Sequence, residues 1–139
     1  MSLLQLSIPA IFLYSIAAAA VLIYVPYLLV AYGRFQVGYN PAAPRALFDQ
    51  LPPYAQRATW AHQNSFEVFM IFAAAALMAY QTGVNSPIGA IAAIAFIVAR
   101  LLYSIFYIVN IPVLRSLMFG IGSFSSFTLF YLSIMQIRG

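Results

Sequence analysis

The sequence predicts an all-α integral membrane protein whose four transmembrane helices form a bundle. Of its 139 residues, 65% are hydrophobic and only 6% are charged. The mean hydropathy is +0.95, far above that of soluble domains. A span needs about 20 residues, so this length accommodates about four spans. We expect one membrane domain over residues 1–139, with spans at 6–32, 57–81, 87–109 and 113–137.

The first predicted span, Leu6 to Tyr32, contains no charged residue. It is long enough to cross a bilayer with some tilt, and Pro26 is expected to kink it near its far end. A cleavable signal peptide is the alternative interpretation. The segment lacks a basic region before its apolar part, which favours a span.

The second span follows a predicted connecting loop, residues 33–56, that contains four prolines. The span begins with polar residues that include His62, Asn64 and Glu67, and it ends in an apolar run. His62 has no nearby second metal ligand in the sequence. We therefore expect a hydrogen-bonding histidine and no metal site.

The third and fourth spans have recognisable starts. Ser86 can cap the free amides of a helix, and Pro87 suits a first helical position. Pro112 marks the next boundary. In the fourth span, Gly120 and Gly122 predict a small face for close helix packing.

The distribution of arginines predicts the orientation in the membrane. Arg34, Arg45, Arg57 and Arg115 lie at one side of the predicted bundle, against Arg138 alone at the other. The positive-inside rule places the first loop in the cytoplasm and both termini outside. The net charge of +4 is small and dispersed, so no nucleic-acid partner is expected.

Two charged residues lie deep inside predicted spans. Glu67 is ten residues after Arg57, and Arg100 is nine residues before Val109, which puts both about 14 Å below the same face. Because an isolated charge at that depth is costly, we hypothesise a buried ion pair between Glu67 and Arg100. Its role is either to serve a ligand site or to clasp the helices together.

Polar residues recur at helical spacing on both of these spans. The second span carries Arg57, Trp60, Asn64 and Glu67, and the third carries Arg100, Tyr103 and Tyr107. Spacings of three or four residues align such side chains on one helix face. With Arg115 at the start of the fourth span, they predict a basic, aromatic cleft for an anionic ligand. The chain has no cysteine, so sulfur chemistry would require a substrate thiol.

These residues form three motifs in order along the chain: Arg57-Ala58-x-x-Ala61-His62-x-Asn64-x-x-Glu67, then Arg100-x-x-Tyr103-x-x-x-Tyr107, then Pro112-x-Leu114-Arg115-Ser116. Together they resemble the MAPEG family, the membrane-associated proteins in eicosanoid and glutathione metabolism. The resemblance covers essentially the whole chain and is greater to bacterial members than to mammalian synthases.

The resemblance implies a homotrimer that binds glutathione as a co-substrate between neighbouring protomers, open to the cytoplasmic side. The implied activity is that of a glutathione-dependent transferase or peroxidase acting on lipophilic small molecules that arrive from the membrane lipids. Arg115 matches the arginine that stabilises the glutathione thiolate, and Ser116 matches a position that assists the thiol. The positions that match glutathione contacts are Arg57, Asn64, Glu67, Arg100, Tyr103 and Tyr107.

The sequence also departs from the family pattern. Trp60 stands where the eicosanoid enzymes have an arginine, and Gln63 replaces a basic residue of some members. Arg34 is displaced by one position from the arginine that ends the first helix of those enzymes. An alternative is therefore a non-catalytic member that serves as a structural or lipid-binding subunit of a larger assembly. A transporter is less favoured, because one ion pair and four spans give no obvious alternating pathway.

Overall fold

The computed structural model describes residues 5–139, which form a multi-pass helical bundle. Its four long helices are α1 (Ile8–Gln36), α2 (Pro53–Thr82), α3 (Pro87–Ile108) and α4 (Pro112–Arg138). A short 3₁₀ helix, Pro44–Gln50, lies between α1 and α2. Each long helix has the length and apolar composition needed to cross a membrane. The predicted all-α, four-span fold is confirmed.

A proline lies at the start of each long helix, as the sequence suggested for α3. Each has a proline within its first two positions, where a missing N–H sacrifices no helical hydrogen bond. The Ser86 hydroxyl accepts a hydrogen bond from the Gly89 N–H at 3.3 Å, which confirms the predicted cap. At the other end of α2, Gly83 adopts a left-handed conformation with φ 78°, which glycine tolerates best.

The connection between α1 and α2 is shorter than predicted. Residues 33–36 continue α1, and residues 53–56 belong to α2. One of the prolines that suggested a loop, Pro53, is instead the first residue of α2. Between the helices, Leu47 and Leu51 are buried and fix the connection to the bundle.

Pro26 does not end α1, which continues for ten more residues to Gln36. Its ring removes the N–H that would bond to the carbonyl of Leu22. One residue further, the Ile23 carbonyl oxygen lies 2.7 Å from His62 Nδ1. This contact joins α1 to α2 next to the proline.

The core is made mostly of alanine, which lets the helices approach closely. Ala75, Ala76 and Ala93 are fully buried. Among them, the rings of Phe72 and Phe96 stack in parallel with centroids 3.8 Å apart. Phe96 lies one turn from Arg100, so this stacked pair forms the floor beneath the polar interior of the bundle.

Gly33 packs closely against the start of α2. A Cβ added at Gly33 would lie 2.6 Å from Ala55 Cβ, so Gly33→Ala forces the helices apart. We expect this variant to be destabilised by about 1–3 kcal/mol, as measured by thermal unfolding in detergent. Gly120→Ala is the matched control, because a Cβ there meets nothing within 4 Å. Equal unfolding midpoints for the two variants would contradict this packing.

Candidate functional site

Arg100 lies at the centre of the polar interior and is only 4% exposed. Its Nη2 donates to Asn64 Oδ1 at 3.0 Å and to Ser65 Oγ at 3.3 Å. Its guanidinium carbon lies 3.9 Å from the centroid of the Tyr103 ring. A planar guanidinium can combine such edge hydrogen bonds with a contact to an aromatic face. Arg100 therefore links α2 to α3 through neutral partners.

The predicted direct ion pair between Glu67 and Arg100 is wrong for the protomer. Asn64 stands between them: its Oδ1 accepts from Arg100, while its Nδ2 donates to Glu67 Oε2 at 3.4 Å. The reason is depth, because Arg100 reaches the level of Asn64, about one helical turn short of Glu67. Glu67 is also exposed on the surface of the protomer.

Two tyrosines lie between two arginines from the centre of the bundle toward the junction of α3 and α4. The Tyr103 ring meets the Tyr107 ring edge to face, with centroids 5.6 Å apart. The Arg115 guanidinium carbon lies 4.7 Å from the centroid of Tyr107. Arg100, Tyr103, Tyr107 and Arg115 thus form one continuous series, which we call the cation–tyrosine row. Arg100 and Arg115 therefore lie at opposite ends of one lining.

Arg57 and Trp60 lie at the mouth of this row. Arg57 Nε donates to the Ile108 carbonyl oxygen at 3.0 Å, which satisfies an acceptor left free at the end of α3. The Trp60 ring, 43% exposed, lies between those of Tyr107 and Phe48, with centroid distances of 6.3 Å and 5.7 Å. The mouth therefore has an aromatic wall that includes a residue of the 3₁₀ helix.

Ser116 does not join the row. It is exposed and lines a groove of about 510 Å³ between α3 and α4, together with apolar residues that include Ile91 and Phe124. Consecutive residues of an α-helix point about 100° apart, so Arg115 and Ser116 occupy different faces of α4. Within one protomer the structure separates these two predicted residues.

A scan against protein-family models matches this chain over residues 11–135, and the matching model is that of the MAPEG family. The chain belongs to the MAPEG family. Searches of curated proteins and of solved structures found no match. MAPEG proteins include glutathione transferases and peroxidases as well as non-catalytic members. The match includes all three motifs that suggested the resemblance.

Two residues of this MAPEG site were not identified from the sequence. Ser65 donates to the Ala61 carbonyl oxygen at 2.7 Å and accepts from Arg100. It lies about 100° from Asn64 on the helix, so a search at spacings of three or four omits it. Phe48 comes from a segment predicted to be loop, and its aromatic character was the only available signal.

The predicted small face of α4 is correct at Gly122, which is buried against α3. A Cβ there would lie 3.6 Å from Arg100 Cδ and from a Phe96 ring carbon. Gly120 has no such neighbours within the protomer. Gly122 therefore makes room for the aliphatic part of the Arg100 side chain.

The cation–tyrosine row offers hydrogen-bond donors and fixed positive charge. Over residues 5–139, no group of three or more histidine or acidic residues is close enough to hold a metal ion. His62, the one histidine, is engaged with Ile23 in the helix contact described above. The cation–tyrosine row of this MAPEG protein suits a ligand that carries carboxylates and hydrogen-bond acceptors.

Proposed function

We propose that this MAPEG protein is a glutathione-dependent transferase or peroxidase that acts on lipophilic electrophiles at the membrane. The observation that supports this function best is the cation–tyrosine row, which places an arginine at each end of a pair of tyrosines. Glutathione has two carboxylates, an ammonium group and a thiol. Arginines suit its carboxylates, and the Glu67 carboxylate suits its ammonium group.

In this proposal the remaining polar residues orient the tripeptide. Asn64, Tyr103 and Tyr107 supply hydrogen-bonding groups along the cleft, and Arg57 lies at its mouth. Arg115 is partly exposed and contacts the face of Tyr107. A fixed cation at this position favours the thiolate of glutathione over its neutral thiol. The assisting role of Ser116 stays a prediction, because its side chain lies on another face of α4.

The proposed chemistry begins when the glutathione thiol loses its proton to solvent. In a transferase reaction, the thiolate sulfur forms a bond to the electrophilic carbon, and the leaving group departs with the electron pair of the broken bond. In a peroxidase reaction, the thiolate attacks the terminal oxygen of a hydroperoxide and breaks its O–O bond. This gives a glutathione sulfenic acid and an alkoxide, which takes a proton from solvent to become an alcohol. A second glutathione then forms the disulfide and releases water.

A homotrimer is part of the proposal because a charged residue of the proposed site faces outward on the single protomer. Glu67 is exposed on the single protomer, although it lies about 20 Å along α2 from Pro53. A carboxylate facing lipid at such depth would be costly. A neighbouring protomer would cover it, which supports glutathione binding between protomers. The arginine distribution supports a cytoplasmic opening.

Titration of glutathione into the purified protein tests the proposal, and Trp60→Arg sharpens the test. Trp60 borders the row, so an arginine there adds a charge-assisted bond to a ligand carboxylate. We expect the variant to bind glutathione about tenfold more tightly than the unchanged protein, as measured by calorimetry. Trp60→Leu is the control that removes the ring without adding charge. Absence of glutathione binding in all three proteins would reject the proposed function.

A second candidate is a non-catalytic MAPEG protein that acts as a structural or lipid-binding subunit. Two observations favour it. Nitrogen atoms of Arg57 and Arg100 already donate hydrogen bonds within the protomer, and Trp60 stands where the eicosanoid enzymes have an arginine. This candidate predicts no glutathione affinity in detergent or nanodiscs. The same titration therefore separates the two functions.

A further inference from the structure

Ser65 of α2 is one of two neutral groups that hold the Arg100 guanidinium. It is only 6% exposed, and its hydroxyl accepts a hydrogen bond from Arg100 Nη2 at 3.3 Å. The other acceptor is Asn64 Oδ1. A charged side chain at bilayer depth commonly pairs with an opposite charge or with backbone carbonyls. Arg100 is instead held by a hydroxyl and an amide, which satisfy its donors without cancelling its charge.

The remaining surroundings of Arg100 also lack a carboxylate. The small cavities beside it are lined by apolar residues and by three hydroxyl-bearing residues, Ser65, Ser123 and Ser126. The chain has only two acidic residues. Asp49 belongs to the 3₁₀ helix, and Glu67 is linked to Arg100 only through Asn64. Over residues 5–139, the positive charge of Arg100 therefore has no directly paired anion.

The Ser65 hydroxyl is itself fixed in orientation. It donates to the Ala61 carbonyl oxygen at 2.7 Å, which leaves its oxygen lone pairs for the guanidinium N–H. Arg100 Nη2 carries two hydrogens, which suit the acceptors of Ser65 and Asn64. The guanidinium carbon then lies 3.9 Å from the centroid of the Tyr103 ring. Ser65 thus helps to fix the guanidinium relative to the cation–tyrosine row.

A neutral partner for Arg100 has a consequence for anionic ligands. Two charges interact over several ångströms in an interior from which water is excluded. A carboxylate at position 65 would cancel much of the field of Arg100, and it would also repel an anion bound nearby. A hydroxyl at this position avoids both effects and still accepts the hydrogen bond.

We propose that Ser65 is a positioning residue that orients Arg100 without neutralising it, so that the full charge of Arg100 acts on an anionic ligand of the cation–tyrosine row. The identity of that ligand as glutathione rests on the proposed function. The effect of Ser65 on the charge of Arg100 does not depend on it.

Comparison of Ser65→Asp with Ser65→Asn tests this proposal, because the two side chains have nearly the same shape and differ in charge. We expect Ser65→Asp to unfold at a higher temperature in detergent than Ser65→Asn, because its carboxylate pairs with the buried guanidinium. We also expect it to bind glutathione at least tenfold more weakly by calorimetry. A residue with a purely structural role would change stability and affinity in the same direction.

Two smaller changes test the orienting hydrogen bond without added charge. Ser65→Ala removes the acceptor and is expected to weaken glutathione binding about fivefold. Ser65→Thr keeps the hydroxyl and should retain the affinity. These variants keep the proposal testable where the larger side chains do not fold, and equal affinities for Ser65→Ala and Ser65→Thr would then contradict it.

The measurements also separate this proposal from the proposed function. Absence of glutathione binding in the unchanged protein rejects the proposed function, whereas the order of the two unfolding temperatures still tests the effect of Ser65 on Arg100. Equal unfolding temperatures for Ser65→Asp and Ser65→Asn overturn the proposal. Equal glutathione affinities of these two variants, in a protein that binds glutathione, overturn it as well.

Discussion

Arg115→Ala is expected to remove most of the glutathione thiolate at neutral pH. A free thiol with a pKa of about 8.5 is only a few per cent ionised at pH 7, and a nearby cation lowers such a pKa by about 1–3 units. Loss of Arg115 should therefore lower the thiolate fraction by about tenfold or more. The ultraviolet absorbance of the thiolate, recorded as glutathione is added, measures the effect.

Two controls separate this role from general effects of charge or assembly. Arg138→Ala removes the same charge from the exposed end of α4 and should leave the thiolate absorbance intact. Size-exclusion chromatography of Arg115→Ala should show an unchanged assembly, because Arg115 is only partly buried. Normal thiolate absorbance in Arg115→Ala, at saturating glutathione, would reject the assigned role.

The other large effect is expected at Arg100. Arg100→Met keeps a long side chain but leaves Asn64 Oδ1 without its donor and removes one bond to Ser65 Oγ. Unsatisfied polar groups in a low-dielectric interior cost about 1–3 kcal/mol each. We expect a total loss of about 3 kcal/mol in unfolding free energy, measured in detergent, and loss of glutathione binding.

A double variant tests the physical cause of this loss. Arg100→Met combined with Asn64→Leu removes donor and acceptor together, which is less costly than removing one of them. We expect the double variant to recover part of the stability but none of the glutathione affinity. Additive destabilisation in the double variant would show that the Arg100 to Asn64 hydrogen bond does not stabilise the protomer.

The sequence allowed the four helices to be predicted because their signals are local. Apolar length identifies a span, and the Ser86-Pro87 pair identifies a start, without reference to any other helix. The connection after α1 was less predictable. A proline such as Pro53 is compatible both with a loop and with a first helical position, and packing of Leu47 and Leu51 decides between them.

The site was predictable only as far as each helix determines its own faces. Spacing alone placed Arg100 and Tyr103 on one stripe, and the structure brings them into contact. The Glu67 to Arg100 pair failed because the relative depth of two helices depends on where they pack closely. Contacts between α2 and α3 such as the stacking of Phe72 on Phe96 set this register, and no single helix encodes them.

The stacked rings of Phe72 and Phe96 have a consequence for the membrane itself. Both side chains are almost completely enclosed, and the two cavities that border Phe96 and Arg100 have volumes of only about 30 Å³ and 10 Å³, which is room for a water molecule or two. We therefore expect no continuous path of water past this pair of rings. A cell that inserts this protein would then keep its proton gradient, because no file of water connects the two aqueous compartments.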